Sequence, residues 1–367
     1  MKRRRSQRGF TLIELMVALV ISSLLVGMIL SIFLRMSLAY RGQQQVANVQ
    51  SVLAGARQMI EFDAKHAGLG MTKGFRLPAT GFDWNAPVRV INNTTAPDEI
   101  RFYYADLTTQ SYVLAVIAGF TSISVDDPTG FAIGDVVVLS SADISVVNPL
   151  APGVDANLSI QDTCVLQITN ITQPLGVWKI DFATVAPYGQ SPLNLQCPAM
   201  VNAMMYKMIG RAYRIDQTRP ADGVLQLSPS GALVANDWQD LAYGFTDLQV
   251  ATQFFDNDGA DTADPDTDVK REWYSSETQE TMTNAAPALT PVIQMTISLV
   301  SRTDRDVEGV ATTATPELRV ATNIDNNTIG DRASETVPHA TDPALQGNRI
   351  YRSTTFGVDF RNLAVGR

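Results

Sequence analysis

Residues 9–34 read GFTLIELMVALVISSLLVGMILSIFL and follow the basic stretch MKRRRSQR at positions 1–8. From Phe10 to Leu34 the only charged side chain is Glu14. As a helix this segment is about 38 Å long, against roughly 30 Å of bilayer hydrocarbon. It is the one stretch in the chain that passes the test for a membrane crossing. A carboxylate at that depth costs several kcal/mol unless it finds a partner, and an intramembrane ionisable residue is a functional hypothesis by default. The reading of Glu14 therefore decides what the rest of the chain is for.

Lys2, Arg3, Arg4, Arg5 and Arg8 lie on one side of the segment. The positive-inside rule leaves that side in the cytoplasm and sends the bulk of the chain outside. A cleaved secretory signal is the competing reading, but the apolar segment is long for an h-region, and no small-x-small site follows in SIFLRMSLAYRG. The 367 residues are 45% hydrophobic and 18% charged, which is ordinary for a folded protein with room for two or three domains. The net charge is −9, and losing the five basic residues of the arm takes it to −14. With no other basic patch, nucleic acid is not an expected partner.

After Leu34 no proline interrupts the helical pattern until Pro78, and Val46, Val49, Leu53, Ala56 and Ile60 recur at steps of three and four. The spacing predicts one helix from Phe10 to about His66, some 85 Å long, half in the bilayer and half packed outside. Gly68 and Gly70 in AGLGMTKG offer its C-cap. From about residue 86 the pattern turns to short alternating or β-branched runs: PVRVIN, EIRFYYA, YVLAVIAGF, TSISVDD, DVVVLSS, CVLQITNI, GVWKIDFA, MMYKMIGRAYRID, LQVATQFF, PVIQMTISLVSR and IYRSTTFGVDF. The last would close the sheet near the C-terminus.

The expected fold is α+β, a long N-terminal α-helix followed by a β-rich globular domain. Its parts are a leader at 1–9, a transmembrane or assembly helix at 10–34, the extracytoplasmic half of the helix at 35–68, and the β-rich domain at 69–367. Strands separated by turn-rich segments predict an inserted β subdomain at 121–187. Asp256–Pro291 and Thr303–Asn348 are poor in apolar residues and read as long surface loops.

The stretch RGFTLIELMVALVISSLLVGMI resembles the processing site of class III signal peptides, the hallmark of type IV prepilins and type II secretion pseudopilins. The resemblance implies that a prepilin peptidase cuts after Gly9, methylates the new amine of Phe10, and leaves the apolar segment as an assembly helix. Less specifically, EFDAKHAGLG and IYRSTTFGVDFRNL resemble the PilW-type minor pilins. In physical terms a carboxylate among alkyl chains needs a cation, and cleavage creates one at Phe10. The natural partner of Glu14 is then the Phe10 amine of a neighbouring subunit. A snorkelling glutamate near a membrane edge is the plainer alternative.

No GxSxG, GxxxxGK[ST] or HExxH is present, and no cysteine is placed by a histidine, so enzymatic activity is not expected. Cys164 and Cys197 are the only cysteines. In an oxidising compartment they would form a disulfide, with two buried thiols as the alternative. DNDGADTADPDTD at 256–268 puts Asp256, Asp258 and Asp261 closest to a calcium-loop spacing. Gly259 comes too early for an EF-hand, so the segment is either a solvated acidic turn or a weak Ca²⁺ site. No other cofactor is expected.

The reading that follows is a non-enzymatic minor pilin, co-assembling through its helix and supporting pilus biogenesis, adhesion and motility. The prepilin peptidase, the major pilin, other minor pilins and a tip adhesin are its implied partners. It would sit in the inner membrane before assembly and then in the pilus, at the tip. A minor pseudopilin of the J type is the alternative; a singly anchored receptor or hydrolase would leave Gly9 and Glu14 unexplained.

Overall fold

The computed structural model describes residues 11–70, 87–91, 96–116, 121–141, 163–183, 203–216, 218–219, 223–232, 236–254, 272–274, 292–303 and 351–360. A single helix, α1 (Leu12–His66), precedes the strands among these residues. The Thr11 hydroxyl starts it by accepting the backbone N–H of Glu14 at 3.3 Å, satisfying a donor that has no partner inside the helix. Ala67, with φ −52° and ψ 130°, ends it. The chain then enters the sheet directly: the Gly68 N–H donates to the Tyr103 carbonyl at 3.0 Å, and the Ala105 N–H to the Leu69 carbonyl at 2.9 Å. Gly70 sits at φ +73°, and a Cβ there would lie 2.6 Å from the Cβ of Ala105. Only glycine fits that close passage.

The first sheet contains β1 (Val88–Ile91), β2 (Glu99–Val116), β3 (Ser122–Val125), β4 (Val136–Ser141), β5 (Thr163–Thr172), β6 (Trp178–Phe182), β7 (Ala203–Ile215), β8 (Val224–Ser228) and β9 (Gln239–Tyr243). Its order is β1-β2-β3-β6-β5-β4-β7-β8-β9, and β2 also pairs with β7. That extra pairing closes a circuit of antiparallel strands, β2-β3-β6-β5-β4-β7 and back to β2. The result is a small barrel whose interior is filled by Val113, Ile123, Val125, Val137, Leu139, Leu166, Ile168, Ile180 and Met205. Closing the circuit removes free edges.

Strands β3 to β6 lie within the 121–187 segment expected as an insertion, and they complete the barrel with the far half of β2 and the first half of β7. The run EIRFYYA and the first five residues of YVLAVIAGF, expected as two strands, form the single strand β2. What looks like a turn between them is a bulge: the register with β7 shifts between Asp106 and Gln110. The Asp106 carboxylate holds it, accepting from the Thr108 backbone N–H at 2.9 Å and hydroxyl at 2.6 Å, and from the Thr109 hydroxyl at 3.0 Å. Such local side-chain bonds let one strand absorb extra residues.

At Gly244 the chain leaves β9 for a second sheet of β10 (Phe245–Phe254), β11 (Glu272–Tyr274), β12 (Val292–Arg302) and β13 (Tyr351–Asp359), in the order β11-β10-β12-β13. Strand β11 falls inside 256–291, which was expected to be loop; its register pairs Trp273 with Gln253 of β10. The remainder of 256–291 and nearly all of 303–348 lie outside the described residues. Strand β13 forms the edge of this second sheet, paired with β12.

The main core lies where α1 meets both sheets: Val49, Leu53, Ala56, Ile60 and Ala64 of the helix pack with Phe102 and Tyr213 of the first sheet and Ile297, Leu299, Phe356 and Val358 of the second. The buried Asp98 ties the sheets, its N–H donating to the Leu248 carbonyl at 2.8 Å and its carboxylate accepting the Val250 N–H at 2.9 Å. The architecture is α+β: a long apolar helix followed by a β-rich domain.

Candidate assembly site

Among the described residues, the side chains of the first half of α1 stand clear of the rest of the chain. Leu12 to Leu34 are exposed throughout, with Leu12 at 78% and Phe33 at 66%. The helix is long and apolar enough to cross a membrane. Its serine hydroxyls are already satisfied from within: Ser22 donates to the Ala18 carbonyl at 2.6 Å, and Ser23 and Ser31 donate to Val20 and Met28 at 2.8 Å. Nothing polar except Glu14 is left for a bilayer to solvate.

Glu14 occupies the first turn, three residues after Thr11. The sequence T-x-x-E is a capping-box signature, and an acidic side chain there complements the partial positive charge of the helix N-terminus. This local role went unread in the sequence, although the motif is visible in it. Gly9 and Phe10, the expected cleavage and methylation positions, lie outside the described residues.

The second half of α1 is fastened to the domain. Asp63 sits on the buried stripe at 6% exposure. The Tyr104 hydroxyl of β2 donates to its Oδ1 at 2.9 Å, and the Tyr213 hydroxyl of β7 donates to its Oδ2. Burial, reinforced by the Asp63 charge, pushes both tyrosine hydroxyls well above the usual tyrosine range. Beside this trio the His66 ring lies between Phe62 and Tyr104, with centroids 4.2 and 5.7 Å away. The Arg57 guanidinium stands 5.2 Å over the Phe356 ring of β13.

On the solvent face Glu61 accepts from Lys65 at 2.6 Å and Arg57 at 3.4 Å. The hydrogen bond from the Lys65 ammonium, helped by Arg57, draws its carboxyl below the usual range against the opposing effect of desolvation. The lock by Asp63, Tyr104 and Tyr213 was missed from sequence. Its signal was a carboxylate in step with Leu53, Ala56 and Ile60, which requires buried partners.

Cys164 is the second residue of β5, opposite Leu139 of β4, while its side chain and Cys197 lie outside the described residues. So do Asp256, Asp258 and Asp261. Among the described residues no three His, Cys, Asp or Glu side chains group to hold a metal ion.

The prokaryotic N-terminal methylation motif matches residues 4–30, a span that contains Gly9, Phe10 and Glu14. The chain carries a prepilin-type N-terminus. Motif and apolar helix fit a membrane-anchored pilin subunit that is processed by a prepilin peptidase and assembles with other pilins. No curated protein matches the chain in sequence. Among solved structures, a type IV-like pilin from Thermus thermophilus aligns at TM-score 0.34 and 10% identity, covering 87% of this chain and 98% of that chain.

Proposed function

We propose that this chain is a structural minor pilin of the PilW type, which enters a type IV pilus through α1 and acts in the tip or initiation complex. The observation that carries the reading is the methylation motif at 4–30, set on a helix whose first half is wholly exposed and whose second half is bound to the domain. Subunits would meet along the exposed half, and the Asp63 lock would carry the load from helix to domain. The Phe10 amine of the neighbour above would neutralise Glu14.

A subunit at the extreme tip has no neighbour above and can dispense with the glutamate. This chain keeps Glu14, so in this reading it sits beneath another, glutamate-lacking minor pilin. Adhesion and motility are what such a pilus serves. The size of the domain and the PilW-like C-terminal stretch favour a pilus over a J-type pseudopilus.

The test is mass spectrometry of the mature protein from sheared surface filaments. A chain beginning at N-methylated Phe10, in few copies per filament and together with other minor pilins, is expected. An intact MKRRRSQRG leader in piliated cells, or recovery only with a secretion machine, would overturn the assignment.

A further inference from the structure

The barrel has an end that its own packing does not explain. The β3–β4 connection (126–135), the β5–β6 hairpin tip (173–177) and the β2 bulge all open there. Gly130 approaches Thr109 so closely that a Cβ would meet its Cγ2 at 3.0 Å. The Gly134 N–H donates to the Ile168 carbonyl at 2.8 Å, and Val125, at the end of β3, pairs with Trp178 at the start of β6.

Aliphatic side chains crowd this end on the solvent side: Leu175 is 103% exposed, Ile133 65%, Val177 47% and Leu107 44%. Leu175 has φ +54° and ψ 27°. That is the left-handed region, which a branched side chain disfavours and a glycine would enter freely. A fully exposed leucine in that conformation adds nothing to the fold that holds it, and such an outlier points toward a role outside the fold.

The polar groups here are anionic. Asp106, Asp126 and Asp127 accept from hydroxyls and backbone N–H groups: from Thr108 and Thr109, from Ser111 and Tyr112, and from Thr129. The Thr108 hydroxyl holds Asp106 below the usual carboxylate range, and the Thr129 hydroxyl does the same for Asp127. The lysines at this end are already paired with carboxylates, Lys207 with Asp135 and Lys179 with Asp181, each at 2.8 Å.

We propose that this end of the barrel docks a different protein, one whose apolar pocket takes Leu175 and whose lysine or arginine rim meets Asp106, Asp126 and Asp127. Exposed apolar anchors ringed by charge are the usual anatomy of a binding surface, and complementary charge selects the partner. The carboxylates argue against a bilayer, whose headgroups are anionic. A second copy is equally disfavoured, since the chain carries a net charge of −9. The inference goes beyond the assembly reading and does not depend on α1.

The test is in-cell photocrosslinking of the full chain with benzoyl-phenylalanine placed at Val177, leaving Leu175 intact, followed by mapping of the crosslinked peptide. Expected is one heterologous adduct on an exported protein, mapped to an apolar pocket flanked by Lys or Arg. Its yield should fall more than about tenfold in Leu175→Gly, as for a buried anchor residue, and also in Asp127→Lys. Leu175→Gly should melt at or above the parent temperature, because glycine accepts φ +54° without strain, so the loss could not be assigned to misfolding. The proposal fails if no adduct forms, if the adduct is lipid or a second copy, if the mapped pocket lacks basic residues, or if Leu175→Gly crosslinks like the parent.

Discussion

Replacing Asp63 with alanine would remove the one acceptor shared by Tyr104 and Tyr213, leaving two hydroxyls inside the contact between helix and sheet. Tyr213 is 0% and Tyr104 6% exposed, so water cannot take the place of the carboxylate. A hydrogen bond to a charged group is worth about 1.5–3 kcal/mol, and a stranded buried hydroxyl costs about 1–3 kcal/mol. Counting each of the two bonds once, Asp63→Ala should cost about 3–6 kcal/mol, a large share of the roughly 5–15 kcal/mol that holds a domain folded. Asp63→Asn should cost less, about 1–2 kcal/mol, because the amide oxygen accepts one tyrosine and its NH₂ can donate to the other. Urea unfolding of the full chain in detergent, followed by tryptophan fluorescence, measures both. The double-mutant cycle with Tyr213→Phe should give a coupling of about 1 kcal/mol or more. If Asp63→Ala unfolds within about 0.5 kcal/mol of the parent, the trio does not bind helix to domain.

Gly70→Ala places a Cβ 2.6 Å from that of Ala105 at φ +73°, and should destabilise by about 2–4 kcal/mol; Gly55→Ala, where nothing lies within 4 Å, should be neutral or stabilising by up to about 1 kcal/mol on thermal unfolding. The raised tyrosine values of Tyr104 and Tyr213 imply that their share of stability is full below the unfolded tyrosine pKa, about 10, and is lost as pH rises beyond it. Alkaline unfolding with simultaneous phenolate absorbance should shift to higher pH in Tyr213→Phe once stability differences at neutral pH are subtracted. Normal ionisation of both tyrosines in the folded protein near pH 10 would refute the linkage.

The helix was legible because its information is local: a charge-poor run, then a stripe at steps of three and four, both set by 3.6-residue periodicity. The barrel was not, since closure depends on β2 pairing with β7 a hundred residues away, and alternation along a strand records which face is buried without naming the neighbour. The bulge at Asp106–Gln110 misled for a related reason. Its Asp, Thr and Thr are turn-forming residues, and only the pairing of Gln110 with Tyr206 shows that the strand continues. The lock at Asp63 lay in a stretch already singled out by resemblance, yet its chemistry required two tyrosines from strands that sequence alone could not bring together.

Glu14 now has two explanations of different size, and they can be separated. As the third helical residue after its Thr11 cap, it gains about 0.3–1 kcal/mol from the helix N-terminus. Burial of an unpaired carboxylate toward the bilayer centre costs about 2.5–3.5 kcal/mol or more. In the proposed assembly, where the leader is removed and the first turn sits among acyl chains, the local gain would not offset that cost, and a cation from another subunit would have to supply the rest. Glu14→Gln keeps an amide able to complete the capping box with Thr11 and removes the charge, whereas Glu14→Leu removes both. If pairing decides assembly, the two variants should insert and be cleaved normally and be depleted from sheared filaments to the same extent, about tenfold or more, because each leaves a neighbouring ammonium unpaired. If capping decides it, Glu14→Gln should enter filaments like the parent and only Glu14→Leu should fail, an outcome that immunoblots of sheared filaments would reveal and that would refute the charge pair.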